Sequence, residues 1–288
     1  MSESGSSRSS PARPRPSATV MLVRDGEAGV ETFLMQRSGF GMFGGLHVFP
    51  GGKVDEADHA EGWGRLAAGL DDAVASATLG SPAGGLRYWV ACIRECFEEA
   101  GVLLALDAGG EPPRLESSTL RERFAHWRDR MNTGEPGVLE EMCARERLRL
   151  ATDQLAYVSH WITPVDQPKR FDTRFFVARA PAQQAALHDG YETVESIWIQ
   201  PERALAACRS GELNMISPTI KNLESIAGYS TTEALLVEKR RVDPSTIPTI
   251  LPRIVRQSSS TENSDPFEEV LEVVGRGGRY STDHRAED

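Results

Sequence analysis

Arg94-Glu95-Cys96-Phe97-Glu98-Glu99-Ala100-Gly101-Val102 is the stretch whose reading decides the fold. Its three carboxylates stand at i, i+3 and i+4, offsets that share one face of an α-helix. At roughly 100° per residue they fall within an arc of about 100°. Trp89, Ile93, Cys96, Phe97 and Ala100 take the opposite side, so the pattern predicts a helix over Arg87–Ala100 that buries one stripe and turns an acidic patch to solvent. Gly101 is suited to the left-handed residue that ends such a helix. Like charges at these spacings cost a bare helix a few tenths of a kcal/mol per pair. Two readings are open: a solvated face on which Arg94 pairs with Glu98 at i+4, or a site for a hard divalent cation, which prefers oxygen ligands.

Upstream lies Phe49-Pro50-Gly51-Gly52-Lys53-Val54-Asp55-Glu56-Ala57-Asp58. A Gly-Gly pair after a strand-like run lets backbone approach a ligand closely. A glycine loop ahead of an acidic helix is a recurrent cradle for a metal–diphosphate.

The two segments together resemble the Nudix box, G-x5-E-x7-R-E-U-x-E-E-x-G-U, with U aliphatic. Gly52 matches the opening glycine. Arg94, Glu95, Glu98, Glu99, Gly101 and Val102 match the second half, and Cys96 replaces one U. Asp58 stands where the first glutamate belongs, one methylene shorter. Thirty-five residues, 59–93, fill a gap that the pattern spans with seven. Phe33-Leu34-Met35-Gln36-Arg37-Ser38 followed by Gly45 through Gly52 is similar to the coenzyme A diphosphatase branch, which carries L-L-x-x-R-S…G-x-x-x-F-P-G-G. The long insertion, Lys169–Val177 and Glu192–Trp198 are similar to its acyl-CoA diphosphatase-like members.

The resemblance implies an αβα sandwich around a mixed sheet, in the α/β (α+β) class, with extra helices from the insertion and the C-terminal region. It implies hydrolysis of a diphosphate linkage, with coenzyme A or acyl-CoA foremost and ADP-ribose, NADH or dinucleoside polyphosphates as alternatives. A nucleotide-sensing module that cleaves nothing is the competing class. The implied cofactor is Mg²⁺ or Mn²⁺ on Glu95, Glu98 and Glu99, with Arg94 bracing the box through a carboxylate. Glu192, with Asp189 beside it, is placed as a further acidic group from a loop near the last strand. Gly51, Gly52, Arg37, Lys169 and Arg170 are the expected substrate contacts. The cluster Lys169, Arg170, Arg174 reads equally as a phosphate clamp or a solvated loop. His47 reads as a structural histidine or one turned into the cleft, and Glu195 as a structural partner.

Composition bounds these readings. The 288 residues are 40% hydrophobic, enough for a core, and carry a net charge of −10. That charge disfavours a nucleic-acid binder. No run approaches the ~20 apolar residues of a membrane span. A small-molecule partner is therefore expected, with no nucleic acid and no membrane. The family resemblance leaves a homodimer open, for which the insertion or the added helices could serve. Cys92, Cys96, Cys143 and Cys208 lack metal-ligand spacing and read as small hydrophobes in a reducing compartment. With the absence of a secretory h-region near the start, this makes a cytoplasmic location the expectation.

Residues 1–17, rich in Ser, Arg and Pro, are expected to be disordered. The main domain is expected over 18–240, with the insertion at 59–86 and an extended, largely disordered tail over 241–288. Trp63, Leu66, Leu70 and Val74 repeat at helical spacing and predict one helix there. Strands are expected at Ala18–Arg24, Val30–Gln36, Leu46–Phe49, Leu155–Ile162, Thr173–Ala178 and Ser196–Ile199. Further helices are expected at Leu120–Arg130, Val138–Leu148, Pro201–Arg209, Pro218–Ala227 and Thr232–Arg240. Glu268–Val274 reads as a short docking helix or as nothing regular.

Overall fold

The computed structural model describes residues 12–39, 44–115, 117–165, 167–186, 188, 193–256 and 267–274. The strands are β1 (Arg15–Gly26), β2 (Gly29–Arg37), β3 (His47–Val48), β4 (Gly51–Lys53), β5 (Ala105–Leu106), β6 (Arg149–Leu150), β7 (Ala156–Ile162), β8 (Phe171–Arg179), β9 (Thr193–Ile199), β10 (Thr249–Arg256) and β11 (Phe267–Val274). The helices are α1 (Trp63–Leu66), α2 (Asp72–Leu79), α3 (Leu86–Ala100), α4 (Ser118–Asn132), α5 (Val138–Glu146), α6 (Pro201–Arg209), α7 (Ser217–Ile226) and α8 (Thr232–Arg241).

Among the described residues, nine strands form one mixed sheet in the order β11-β10-β7-β8-β1-β2-β3, with β4 paired to β1 and β9 to β2. The contacts of β1 with β8 and of β10 with β7 are parallel, and the others are antiparallel. Alternation along the central strands decides which layer each side chain enters. Ala18, Val20, Leu22, Phe176 and Ala178 pack with α3, α4 and α5 on one face. Met21, Val23, Phe175 and Val177 pack with α6, α7 and α8 on the other. This is the expected αβα sandwich. Among the described residues no helix is long and apolar enough to cross a membrane.

Along the edge away from β8, β1 serves two partners in succession. Its first half pairs with β4, Thr19 opposite Gly51 and Ala18 opposite Gly52, and its second half pairs with β2. The glycine pair is thus a short strand pressed against the sheet, directly beneath α3.

Several sequence expectations are corrected. The strand begins at Arg15, inside the stretch expected to be disordered, and the Ser17 hydroxyl donates to the Gly52 carbonyl at 2.5 Å. The single helix expected through Val74 is two, because Gly69 turns left-handed at φ 67° and Asp71 caps a fresh start by accepting from the Val74 N–H at 2.8 Å. Val74 itself faces solvent. Within the expected tail, the described strands β10 and β11 pair antiparallel. Val270, Val273 and Val274 favour an extended chain over the short helix considered for that segment.

Candidate active site

The first carboxylate turn of interest lies at the end of α3, a helix buried nearly all round. The side chains of Glu95, Glu98 and Glu99 keep only 14%, 17% and 6% of their surface exposed. They do not form the solvent patch expected from the helical wheel, because β4 and Arg94 cover that face. They border a cavity of about 1070 Å³ whose walls include Gly51, Gly52, Arg37 and Lys53.

Arg94 is the hub. Its Nε and Nη2 donate to the two oxygens of Asp58, both at 3.0 Å, and Nη2 also donates to the Lys53 carbonyl at 2.7 Å. Its Nη1 donates to Glu95 at 3.0 Å and to Glu98 at 2.9 Å. Arg94 therefore braces the box through Asp58 and also makes the i+4 pair with Glu98; both readings of it hold together. Asp58 is 2% exposed and sits in a 3₁₀ turn, Glu56–His59, where it also accepts from the Asp55 N–H at 2.8 Å. The shorter aspartate reaches because that turn lies against α3.

Glu99 takes a different partner, accepting from the Gly51 N–H at 2.7 Å, with Arg37 at 4.0 Å. Gly52 leaves space that Glu95 fills: a Cβ there would stand 2.4 Å from the Glu95 carboxylate. Close backbone approach is the reason for glycine at both positions.

The electrostatics follow from burial of several acids around one cation. Burial pushes Glu95 up to about 8, with Arg94 opposing and Glu98 reinforcing the shift. Burial also raises Glu98, again against Arg94, and raises Asp58 despite its pair with Arg94. Although burial opposes its charge, Arg94 is raised above its ordinary value by Glu95, Asp58 and Glu98. Among the described residues no three acidic, His or Cys side chains converge closely enough to hold an ion as placed. Glu95 and Glu98 are turned onto Arg94, and Glu99 onto the Gly51 amide. The donor set nevertheless suits a hard divalent cation: crowded carboxylate oxygens, two of them on buried side chains whose charge desolvation disfavours, gain from a second positive charge.

Other expected residues fall elsewhere. Lys169 and Arg170, expected as substrate contacts, do not border this cavity, although Gln167 and Phe171 on either side of them do. Arg170 is buried, donating from Nε to the Thr163 carbonyl at 3.0 Å and from Nη1 to the Ala12 carbonyl at 2.9 Å, so it ties the start of β1 to the β7–β8 connection. Lys169 is exposed. Arg174 pairs with Asp172 at 2.8 Å beside His160. His47 is buried without bordering the cavity, the structural alternative. Glu195 lies on β9, opposite Gln36. Glu192 and Asp189 lie outside the described residues.

Two contributions carried no sequence signal. Trp161 on β7 and Pro252 on β10 form part of the cavity wall, far from the box in the chain. Arg128 on α4 bonds the backbone carbonyls of Glu98 and Glu99.

Comparison with known proteins follows the same lines. The NUDT19 Nudix domain family matches residues 75–226. The chain is 28% identical over 239 residues to chicken (Gallus gallus) acyl-coenzyme A diphosphatase NUDT19, covering 70% of this chain and 62% of that protein. It is 28% identical over 237 residues to the human (Homo sapiens) protein of the same name, covering 72% and 63%. The chain thus spans less than two thirds of the length of these relatives. Among solved structures, a NUDIX hydrolase from Alicyclobacillus acidocaldarius superposes with a TM-score of 0.64 at 25% identity, covering 78% of this chain and 96% of that one.

Proposed function

The chain belongs to the NUDT19 Nudix domain family, and from that premise we propose that it hydrolyses the diphosphate linkage of coenzyme A or an acyl-CoA with the help of Mg²⁺ or Mn²⁺. The observation that carries the proposal is the buried turn Glu95–Glu98–Glu99 facing the Gly51–Gly52 strand at a large cavity. The names of the relatives support the substrate class. So does the cavity, which at about 1070 Å³ lies at the upper end of ligand-pocket sizes and adds Phe49, Trp161, Phe171 and Phe175 to its polar wall. A diphosphate nucleotide with a long, partly apolar arm meets both characters.

In the reaction a water oxygen bonds to one phosphorus while the bridging P–O bond breaks, giving two phosphorylated products. Such displacement depends on positioning and charge neutralisation more than on covalent chemistry. Glu95, Glu98 and Glu99 would hold the cation, which when bound neutralises charge on the phosphoryl oxygens and orients them. The proton of the attacking water passes to this carboxylate set, whose members titrate jointly. Arg94 keeps the set together from below through Asp58. Gly51 and Gly52 admit the diphosphate to the backbone, and Arg37, a cation at the cavity wall, offers it charge-assisted hydrogen bonds.

The test is a substrate panel of CoA, acyl-CoAs, ADP-ribose, NADH and dinucleoside polyphosphates with each metal. Release of adenosine 3′,5′-bisphosphate from CoA or acyl-CoA is the expected result. Glu98→Gln or Glu99→Gln is expected to lower turnover by roughly a hundredfold or more while the protein stays folded. Wild-type rates in both variants would remove the site assignment.

A further inference from the structure

We propose that Arg128 is a positioning residue that sets the Glu98–Glu99 end of the carboxylate turn, an inference that rests on the reading of that turn as the reactive centre. Arg128 Nε donates to the Glu98 carbonyl at 2.8 Å, and Nη2 donates to the Glu99 carbonyl at 2.8 Å. The last carbonyls of a helix have no partner within it and carry the negative end of the helix dipole. A guanidinium answers both conditions, because its rigid fork reaches two oxygens at once and its charge suits that end of the helix.

The two carbonyls belong to the residues whose side chains enter the cavity. Holding them fixes the backbone from which the Glu98 and Glu99 side chains project. Gly101 takes part for two reasons. Its φ of 67° ends α3 in the left-handed region, and a Cβ there would lie 2.9 Å from Arg128 Nη1. The glycine of the box thus makes room for the guanidinium as well as stopping the helix.

Arg128 is itself held in place. Phe124, one turn earlier on α4, meets Phe97 of α3 edge-on at 6.5 Å between ring centroids. The next residue, Asp129, borders the cavity, as do Asn132 and Thr133 at the end of α4. One side chain therefore couples the rim supplied by α4 to the carboxylates supplied by α3.

The experiment compares wild type with Arg128→Ala, Arg128→Lys and Gly101→Ala in the full chain. It reads kcat and KM separately, and Mn²⁺ binding to the protein without nucleotide. Expected for Arg128→Ala are a fall in kcat of roughly ten- to hundredfold, KM within about twofold, and weaker Mn²⁺ binding. Loss of a nearby positive charge alone would tighten Mn²⁺, so weakening reports position. Arg128→Lys is expected to fall between, since an ammonium cannot span both carbonyls in the same way. Added ethylguanidinium should restore part of the Arg128→Ala activity, and Gly101→Ala should resemble Arg128→Ala.

If folded Arg128→Ala and Arg128→Lys keep wild-type kcat and Mn²⁺ affinity, the role is wrong while the active-site reading stands. If Arg128→Ala does not fold, wild-type values in Arg128→Lys overturn the proposal equally. A wild-type protein that neither binds Mn²⁺ nor cleaves any diphosphate takes down the active-site reading and this inference with it.

Discussion

Adjacent glycines at 51 and 52 face different neighbours, so the same substitution has different consequences. A Cβ on Gly52 would meet only the end of the Glu95 side chain, at 2.4 Å. The carboxylate can swing aside, but it then leaves Arg94 and the cavity. Gly52→Ala is expected to cost turnover roughly a hundredfold while moving the melting temperature by only a few degrees. A Cβ on Gly51 would stand 2.6 Å from the Ala18 carbonyl and 2.7 Å from the Thr19 Cα, which are backbone of a central strand. Gly51→Ala is therefore expected to destabilise the fold itself, by about 1–3 kcal/mol, as overpacking does. Denaturant unfolding and steady-state kinetics on the two variants check the pair. Equal loss of stability in both would contradict the assignment of their neighbours.

At the scale of the element, the insertion inside the box turns out to be a cap for the helix it precedes. Asp72, at the start of α2, accepts from the Gly84 N–H at 2.9 Å and from the Leu86 N–H at 3.0 Å. Ser76 accepts from the Gly85 N–H at 2.8 Å. The first amides of a helix have no partners within it, and α3 takes them from α2. Asp72→Ala is expected to cost about 1 kcal/mol, in the range of a lost N-cap, as measured by urea unfolding. Turnover should hold, because the catalytic carboxylates lie at the other end of α3. The insertion lengthens the chain between Asp58 and Arg94 without separating them: Asp58 still takes two hydrogen bonds from Arg94.

For the whole molecule, burial of acids beside one arginine links stability to pH. Burial pushes Glu95 up to about 8 in the folded chain, against a value of 4.5 for an ordinary glutamate. The folded state then binds the proton more tightly than the unfolded state, and stability falls as pH rises between those values. Glu98 and Asp58, also raised by burial, act in the same direction. His47 and His160, held below 6.5 mainly by burial, act oppositely as they lose their protons. The discriminating measurement is therefore the difference between wild type and Glu95→Gln. In metal-free buffer the wild-type melting temperature should decline relative to the variant as pH rises from about 4.5 to 8. Saturating Mg²⁺ should shrink the difference. A difference that stays constant across that window would contradict the burial of Glu95.

What could be read from the chain alone was local. The carboxylate helix and its glycine stop, and α6 through α8, rest on neighbours within a few residues, where side-chain periodicity and helix-end chemistry operate. The partnership of Asp58 with Arg94 was legible only through the order of the box. Other features belonged to tertiary structure. The wheel of α3 separated the acids from the apolar stripe, yet β4 and Arg94 decided that those acids face a cavity rather than solvent. Density of basic residues pointed to Lys169 and Arg170, yet the path of the β7–β8 connection put Arg170 on backbone carbonyls. The ties from Arg128 to Glu98 and Glu99, and the place of Pro252 in the cavity wall, join segments far apart in the chain. Periodicity says which face of an element is apolar, but what covers that face depends on where distant segments pack.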